Sequence, residues 1–418
     1  MTPMYYHFLV YAQKPEQGLK MTLKVLLFSD YPSPNGIISG GIPRAVYNLV
    51  TELCKLDPSL EIHVCTLTSE VKADITKRTV PKENLFIHYI RFPLAKYPIF
   101  IPSLLTQRIV KREINKINPD IVHVQGIGKF YAYPIIRLKF NPAIITVHGV
   151  IHEESKTWNG FLGKYRAIAG RRLEDYVLKN AKYLVAVSPY VKNIIEPVTK
   201  GDISVIFNPV EEKFFNVKKE EICHRILFVG GIEPRKGLHV LIDAIKIVKQ
   251  DIPDVRLHIV GGIRKKDYFT KIYEKIKEYD LSENVIFKGA VAEEKLIKEY
   301  SEAAIFILPS KEESLGIVLL EAMATETPII ASNIGGIPYI VRDGSNGYLV
   351  GFGDYKKMAE YILVLLSDTK KRKAMGLIGK EIAVRYHPKA IAMEHLQLYK
   401  RLLTDYKSSV FNLIKRSI

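Results

Sequence analysis

Short apolar runs alternate with helix-patterned stretches along this chain, in two successive series. The first series holds KVLLFSD (24–30), EIHVCTL (61–67), NLFIHYI (84–90), DIVHVQG (120–126), AIITVHG (143–149) and YLVAVS (183–188). The second holds RILFVGG (225–231), VRLHIVGG (255–262), VIFKGA (285–290), IFILPS (305–310) and TPIIAS (327–332). Runs this uniformly apolar are strands of parallel sheets with helices on both faces. Helical patterns over 40–56, 103–117 and 238–249 fit between them. The reading is an α/β chain of two doubly wound domains. Such a domain binds its ligand at the carboxyl ends of the strands, where the strand order reverses. Two of them facing each other would put a site in the cleft between.

The two series join near FNPVEEKFFNVKKEE (207–221), where proline and charge interrupt both periods. The expected division is 1–208, 209–387 and a helical tail, 388–418, packing back on the first domain. Residues 1–20 precede the first strong strand and read as an extension. At 418 residues and 47% hydrophobic, the chain can fill two cores. Cys54, Cys65 and Cys223 form no C-x-x-C pair, so neither a disulfide framework nor a zinc site is expected. They suit a reducing compartment. No apolar run reaches the ~18 residues of a membrane span, and the expected location is cytoplasmic, with a peripheral place on the inner face of the cell membrane left open. The net charge is +17; residues 1–210 hold 27 basic and 16 acidic residues. Such an excess suits phosphorylated ligands, nucleic acid or an anionic membrane face. A merely soluble, Lys-rich surface explains it equally well.

Five stretches carry chemistry. GGIEPRKG (230–237) follows a strand, and Gly230 and Gly231 let the backbone turn sharply. Arg235 and Lys236 then stand before a helix, which makes either a diphosphate cradle or a tight turn with solvated cations. No G-K-[ST] closes the loop, so it is not a Walker A site. EESLGIVLLEAMA (312–324) puts Glu313 in the loop before a helix starting near Leu315 or Gly316, and Glu321 inside that helix. A carboxylate among Leu319, Leu320, Ala322 and Met323 needs hydrogen-bond donors if it is buried. Ligand hydroxyls are suitable donors; an exposed helix face is the alternative. Gly40 and Gly41 in GGIPR would let the backbone approach an anion, or form a plain loop. His148 ends a strand in TVHG, a reactive position or a structural one; His123 is placed alike, with the structural reading stronger. ASNIGGIP (331–338) and DGSNGYLV (343–350) suit close backbone approach or turns.

Together, GGIEPRKG, PSKEESLGIVLLEAMATETPIIASNIGGIP and RDGSNGYLVGFGD resemble the retaining GT-B glycosyltransferases of family 4, the glycosyl transferases group 1. GGIPR and TVHG match first-domain signatures, and the likeness spans roughly residues 23–400. The resemblance implies a GT-B fold of two facing Rossmann-like domains with a nucleotide-diphosphate sugar in the cleft. It implies a retaining hexosyltransferase without a dedicated metal or cofactor, its donor UDP- or GDP-linked. Arg235 and Lys236 would neutralise the diphosphate and stabilise the charge on the leaving group. Glu313 would hold the sugar's hydroxyls and Glu321 the ribose. Ser314, Leu315 and Gly316 would meet the donor through their backbone, and Gly41 would close from the opposite domain. His148 would lie by the sugar, and the base would pack near Lys288–Val291. Leu315, Tyr339 and Asn208-Pro209 depart from the family's usual Phe, Glu and Asn-Gly, which blurs the identity of the sugar.

The segments 158–181 and 104–117 mix apolar residues with Lys164, Arg166, Arg171, Arg172, Arg108, Lys111, Arg112 and Lys116. They suggest a peripheral enzyme on an anionic membrane, acting on a glycan or lipid-linked acceptor in cell-surface polysaccharide or glycolipid biosynthesis. Solvated helix faces are the alternative. A transferase with a soluble acceptor, such as a sucrose- or glucan-synthase-like enzyme, shares every motif. A nucleotide-sugar epimerase shares the architecture. A non-catalytic sugar-nucleotide or anionic-surface binding protein is disfavoured by the full set of acids and cations. Nucleic acid is not an expected partner, since no helix-turn-helix or RNA-binding signature is present.

Overall fold

A computed structural model describes residues 22–36, 38, 40–78, 84–96, 103–127, 131–157 and 160–417. The expected extension 1–20 and Trp158 lie outside these. Two sheets account for the described strands. The first holds β1 (Leu23–Phe28), β2 (Leu60–Thr68), β3 (Ile75–Arg78), β4 (Leu85–Arg91), β5 (Ile121–Gln125), β6 (Ala143–Val147), β7 (Tyr183–Ala186) and β8 (Asp202–Val205). Their order is β3-β4-β2-β1-β5-β6-β7-β8, parallel except for β3 against β4. The second holds β9 (Arg225–Val229), β10 (Arg256–Val260), β11 (Val285–Gly289), β12 (Ile305–Leu308), β13 (Ile329–Ser332) and β14 (Gly347–Val350), in the order β11-β10-β9-β12-β13-β14.

The doubly wound reading holds, and its exceptions have one cause. Strands β3, β8 and β14 were not anticipated. Each lies at or beside the edge of its sheet, where the two-faced apolar pattern fades: ITKR is exposed throughout and DISV is at most half-buried. In the interior, Val25, Leu26, Leu27, Ile305, Phe306 and Ile307 are almost wholly buried. The helix expected near Leu315 begins at Ile317, because Gly316 takes φ 83° and acts as its N-cap.

Among its parallel strands, each sheet reverses its order at one point, between β1 and β5 in the first and between β9 and β12 in the second. The loops after β1, β5, β9 and β12 are therefore the ones the topology offers to a ligand. The linker is tied to the second sheet's helices. Glu220 and Ile222 donate their N–H groups to Ser301 and Glu302 carbonyls at 3.0 and 2.8 Å. The Lys219 ammonium donates to the carbonyls of Tyr300 and Ala303 and to Thr327 Oγ1. Burial draws its pKa down to about 7. The last helix, Pro388–Ser417, packs Ile391, Leu398, Tyr399 and Leu402 against Val46, Leu49 and Leu53 of the helix Gly41–Leu56.

Candidate active site

The loop after β9 forms a short 3-10 turn, Pro234–Lys236, closed by Gly237. Gly237 has φ 68°, and a Cβ there would fall 1.8 Å from the Pro309 carbonyl oxygen, so only glycine lets the β9 and β12 loops meet. Lys311 N–H donates to the Arg235 carbonyl at 2.8 Å across the same seam. This contact sets Arg235 and Lys236 beside the loop that carries Glu313. Lys236 Nζ donates to Glu313 Oε1, and Ser310 Oγ donates to the same oxygen at 3.1 Å. Arg235 donates to the Glu312 carbonyl and to Glu233, both at 3.2 Å. A Cβ at Gly230 would press on the Phe228 ring at 3.3 Å and come into ordinary contact with Lys236 Cδ at 3.7 Å.

Glu313 and Glu321 are both buried, yet their environments diverge. Burial pushes the Glu313 carboxyl up, but Lys236 and Arg235 outweigh it and hold the group below the ordinary carboxylate range. Burial of Glu321 wins over the pull of Arg44 and Tyr300, and its carboxyl is raised. Tyr300 Oη donates to Glu321 Oε2 at 2.8 Å. The sequence allowed an exposed helix face or a ligand donor for Glu321; the fold buries it and supplies a donor from a residue 21 positions away. A carboxylate accepts more than one hydrogen bond, so capacity remains.

The glycines of ASNIGGIP serve the protein rather than a ligand. A Cβ at Gly335 would fall 2.1 Å from the Glu313 carbonyl oxygen, and one at Gly336 would fall 2.2 Å from that of Ser314. Gly336 N–H donates to the Glu313 carbonyl at 2.8 Å. The pair clamps the loop that aims Glu313. Leu315 is in the core, and Val291 packs against that core.

The first domain meets this loop from the other side. Ser188 Oγ, after β7, donates to the Ser314 carbonyl at 2.6 Å. A Cβ at Gly41 would lie 3.5 Å from Ile317 Cδ1, and Gly40 has φ 106°. His148 follows β6, with Nε2 2.8 Å from Gln125 Oε1. Burial and the neighbouring His395 pull its pKa down to about 4, so the ring is neutral at pH 7. Its Nδ1 is buried without a partner among the described residues. His123 is held within the fold, between Tyr399 and Thr146.

Two acids were missed. Glu154 approaches Gly149 so closely that a Cβ there would fall 2.2 Å from its Oε1. Burial raises the Glu154 carboxyl, with Arg235 opposing and Glu313 adding to the rise. Glu312 is raised to about 7 by burial and by Glu154. The signal available was the pair of acids four residues past TVHG, at a strand's carboxyl end. Glu174 secures that segment by accepting from the backbone N–H groups of Ile151 and His152 at 2.6 and 3.0 Å. Among the described residues no group of three or more His, Cys, Asp or Glu is arranged to hold a metal ion.

Arg235, Lys236 and Glu313 thus meet on the loops beside the switch point of the second sheet, Gly41 of the first domain approaches the adjoining helix at Ile317, and Glu321 lies apart inside that helix against Tyr300. Two family descriptions match in tandem: Glycosyltransferase Family 4 over residues 39–214 and Glycosyl transferases group 1 over residues 209–382. The chain belongs to the GT-B glycosyltransferases of family 4. An uncharacterized glycosyltransferase of Methanocaldococcus jannaschii is 29% identical over 87% of this chain and 95% of its own. The sucrose-phosphate synthase of Thermosynechococcus elongatus superposes with a TM-score of 0.77 at 24% identity, covering 92% of this chain and all of that one. The Anabaena protein HepE, solved with UDP and glucose, superposes with a TM-score of 0.68 at 18% identity, over 90% of this chain and 99% of its own. This glycosyltransferase has no helix, among the described residues, long and apolar enough to cross a membrane.

Proposed function

We propose that this glycosyltransferase is a retaining, metal-independent hexosyltransferase. Its donor is a nucleoside-diphosphate sugar, and its acceptor is a glycan or a lipid-linked glycan of cell-surface polysaccharide or glycolipid biosynthesis. The observation that carries the reading is the contact of Arg235 and Lys236 with the Glu313 loop at the switch point of the second sheet. A diphosphate entering there exchanges carboxylate partners of the two cations for phosphate oxygens. Glu313 then turns to the sugar's hydroxyls, and Glu321 accepts from the ribose beside Tyr300. The anomeric C–O bond to the diphosphate breaks as the acceptor oxygen attacks from the same face. The departing phosphate oxygen takes the acceptor's proton. Arg235 and Lys236 stabilise the charge that builds on that leaving group. HepE's complex with UDP and glucose lends the donor class support.

The lipid-linked acceptor rests on the helix Gly160–Asn180. Phe161 is 86% exposed, and Tyr165 and Ile168 are each 57% exposed. Their spacing sets them on one face, with Lys164 beside them, which suits an anionic bilayer surface. Flotation with anionic liposomes at physiological salt is expected to carry the protein up; protein left at the bottom removes the membrane from the proposal. A soluble acceptor is the second reading, favoured by the superposition on a sucrose-phosphate synthase. The donor is tested by thermal shift with UDP, GDP and ADP sugars, with and without magnesium. One nucleotide stabilising without metal supports the proposal; no shift at millimolar concentration overturns it.

A further inference from the structure

A chain of buried hydrogen bonds runs from His148 through the first sheet to the C-terminal helix. His148 Nε2 lies 2.8 Å from Gln125 Oε1, and Gln125 Nε2 lies 3.2 Å from His123 Nε2. Thr146 Oγ1 is 2.7 Å from that same His123 nitrogen. On the far side, His123 Nδ1 is 2.7 Å from Tyr399 Oη, a contact spanning 276 positions. His123 and Tyr399 are wholly buried. His395, one turn before Tyr399, stacks on His123 with ring centroids 5.6 Å apart. Burial lowers the pKa of all three imidazoles, so each carries a single N–H near pH 7.

The direction of this chain follows from the chemistry of its links. An amide has one accepting end and one donating end. Because Gln125 grips both histidines at Nε2, only one of those two nitrogens can carry hydrogen. The carbonyl faces His148, so His148 holds its hydrogen on Nε2. The amide nitrogen faces His123, so His123 Nε2 accepts and its hydrogen is on Nδ1. Tyr399 Oη receives that hydrogen. His148 is left with Nδ1 as a bare, buried acceptor lacking a partner among the described residues.

We propose that Tyr399 is a positioning residue for the transfer site: acting through His123 and Gln125, it fixes His148 in the tautomer whose Nδ1 accepts a hydrogen bond. This rests on the reading of His148 as a neighbour of the donor sugar, a hydroxyl of which would donate to Nδ1. It gives the C-terminal helix, which also brings His395 near His148, a part in setting the site. The helix also buttresses the first domain, so loss of packing must be separated from loss of the tautomer.

Histidine ring 15N NMR of the full chain separates them, since the two ring nitrogens report which one bears hydrogen whether or not donor is present. The wild-type protein is expected to show His148 protonated on Nε2. Tyr399→Phe keeps the buried ring but removes the accepting oxygen. His123 then moves its hydrogen to Nε2, the amide turns over, and His148 shifts to Nδ1–H. In Gln125→Glu a carboxylate accepts from both histidines, so adding Tyr399→Phe to it is expected to leave His148 on Nε2. If Tyr399→Phe folds poorly, His123→Phe cuts the same chain and is expected to release the His148 preference. The apparent Kd of the donor sugar nucleotide is expected to rise about tenfold in Tyr399→Phe. An unchanged His148 tautomer in Tyr399→Phe and His123→Phe overturns the proposal, as does Nδ1–H in the wild type. A wild type with the expected tautomer and no affinity for any sugar nucleotide instead defeats the donor reading alone.

Discussion

The mouth and the interior of one short helix treat the same chemical group in opposite ways. Glu313, in the loop before Ile317–Ala324, is ion-paired to Lys236 and held ionised. Glu321, inside the helix, has a phenol as its hydrogen-bond partner and is pushed toward its neutral form. Both are buried, so burial alone does not decide the state of a carboxylate; the partner does. The loop can surround Glu313 with cations because glycines at 237, 335 and 336 let three backbone segments meet there. The helix interior offers only what neighbouring helices project, here Tyr300.

Removing a partner at the mouth breaks the comparison most severely. Lys236→Met takes from buried Glu313 the ammonium that donates to it, leaving Arg235 as the second cation beside it, and is expected to cost about 3 kcal/mol in denaturant unfolding. Transfer is expected to fall by about 100-fold or more, as for loss of a group that stabilises a leaving anion. Adding Glu313→Gln should recover much of the stability and none of the activity. Gly335→Ala is next, because the new methyl would collide with the Glu313 carbonyl at a φ of 54°. About 2 kcal/mol of destabilisation is expected, against less than about 0.5 kcal/mol for Gly351→Ala, which meets nothing within 4 Å.

In the helix interior, Tyr300→Phe strips the donor from Glu321 and is expected to cost about 1–2 kcal/mol. Glu321→Gln keeps an acceptor for Tyr300 and gives the smallest change, within about 1 kcal/mol, but its sign sharpens the contrast. A raised carboxyl binds its proton more tightly in the folded state, so stability falls as pH climbs above the ordinary value of 4.5. Glu321→Gln should therefore stabilise at neutral pH, the gain vanishing below 4.5. Glu313 has the reverse slope. Its contribution is fully present above 4.5 and is lost as pH falls through its depressed folded value, so Glu313→Gln should destabilise at neutral pH and less so in acid. Urea titrations of both variants from about pH 3 to 8, spanning both sides of the ordinary carboxylate value, check the two signs together.

What could be read from sequence followed the same division. Arg235, Lys236, Glu313 and Glu321 stand in compact motifs next to strand ends, so topology alone places them. The interior strands announced themselves because both faces are apolar, whereas the solvated edge strand ITKR showed no period. Glu154 was marked only by its place just past TVHG, while Tyr300 and the Gln125–His123–Tyr399 chain were illegible. Each owes its role to a contact between distant segments, and nothing in the local pattern around Tyr399 distinguishes it from another core aromatic. The glycines of ASNIGGIP were legible as a close approach, though not as an approach to the protein's own backbone.

The central claim is that the two acids read two ends of one ligand. Calorimetric titration of UDP and of a UDP-sugar, or of whichever nucleotide stabilises the protein, into Glu313→Ala and Glu321→Ala tests it directly. Glu321→Ala is expected to weaken both ligands alike, by about tenfold. Glu313→Ala is expected to weaken only the sugar nucleotide, leaving the free diphosphate bound at least as well because Lys236 is released. Equal weakening of both ligands by both variants, or no effect of either, would contradict the account.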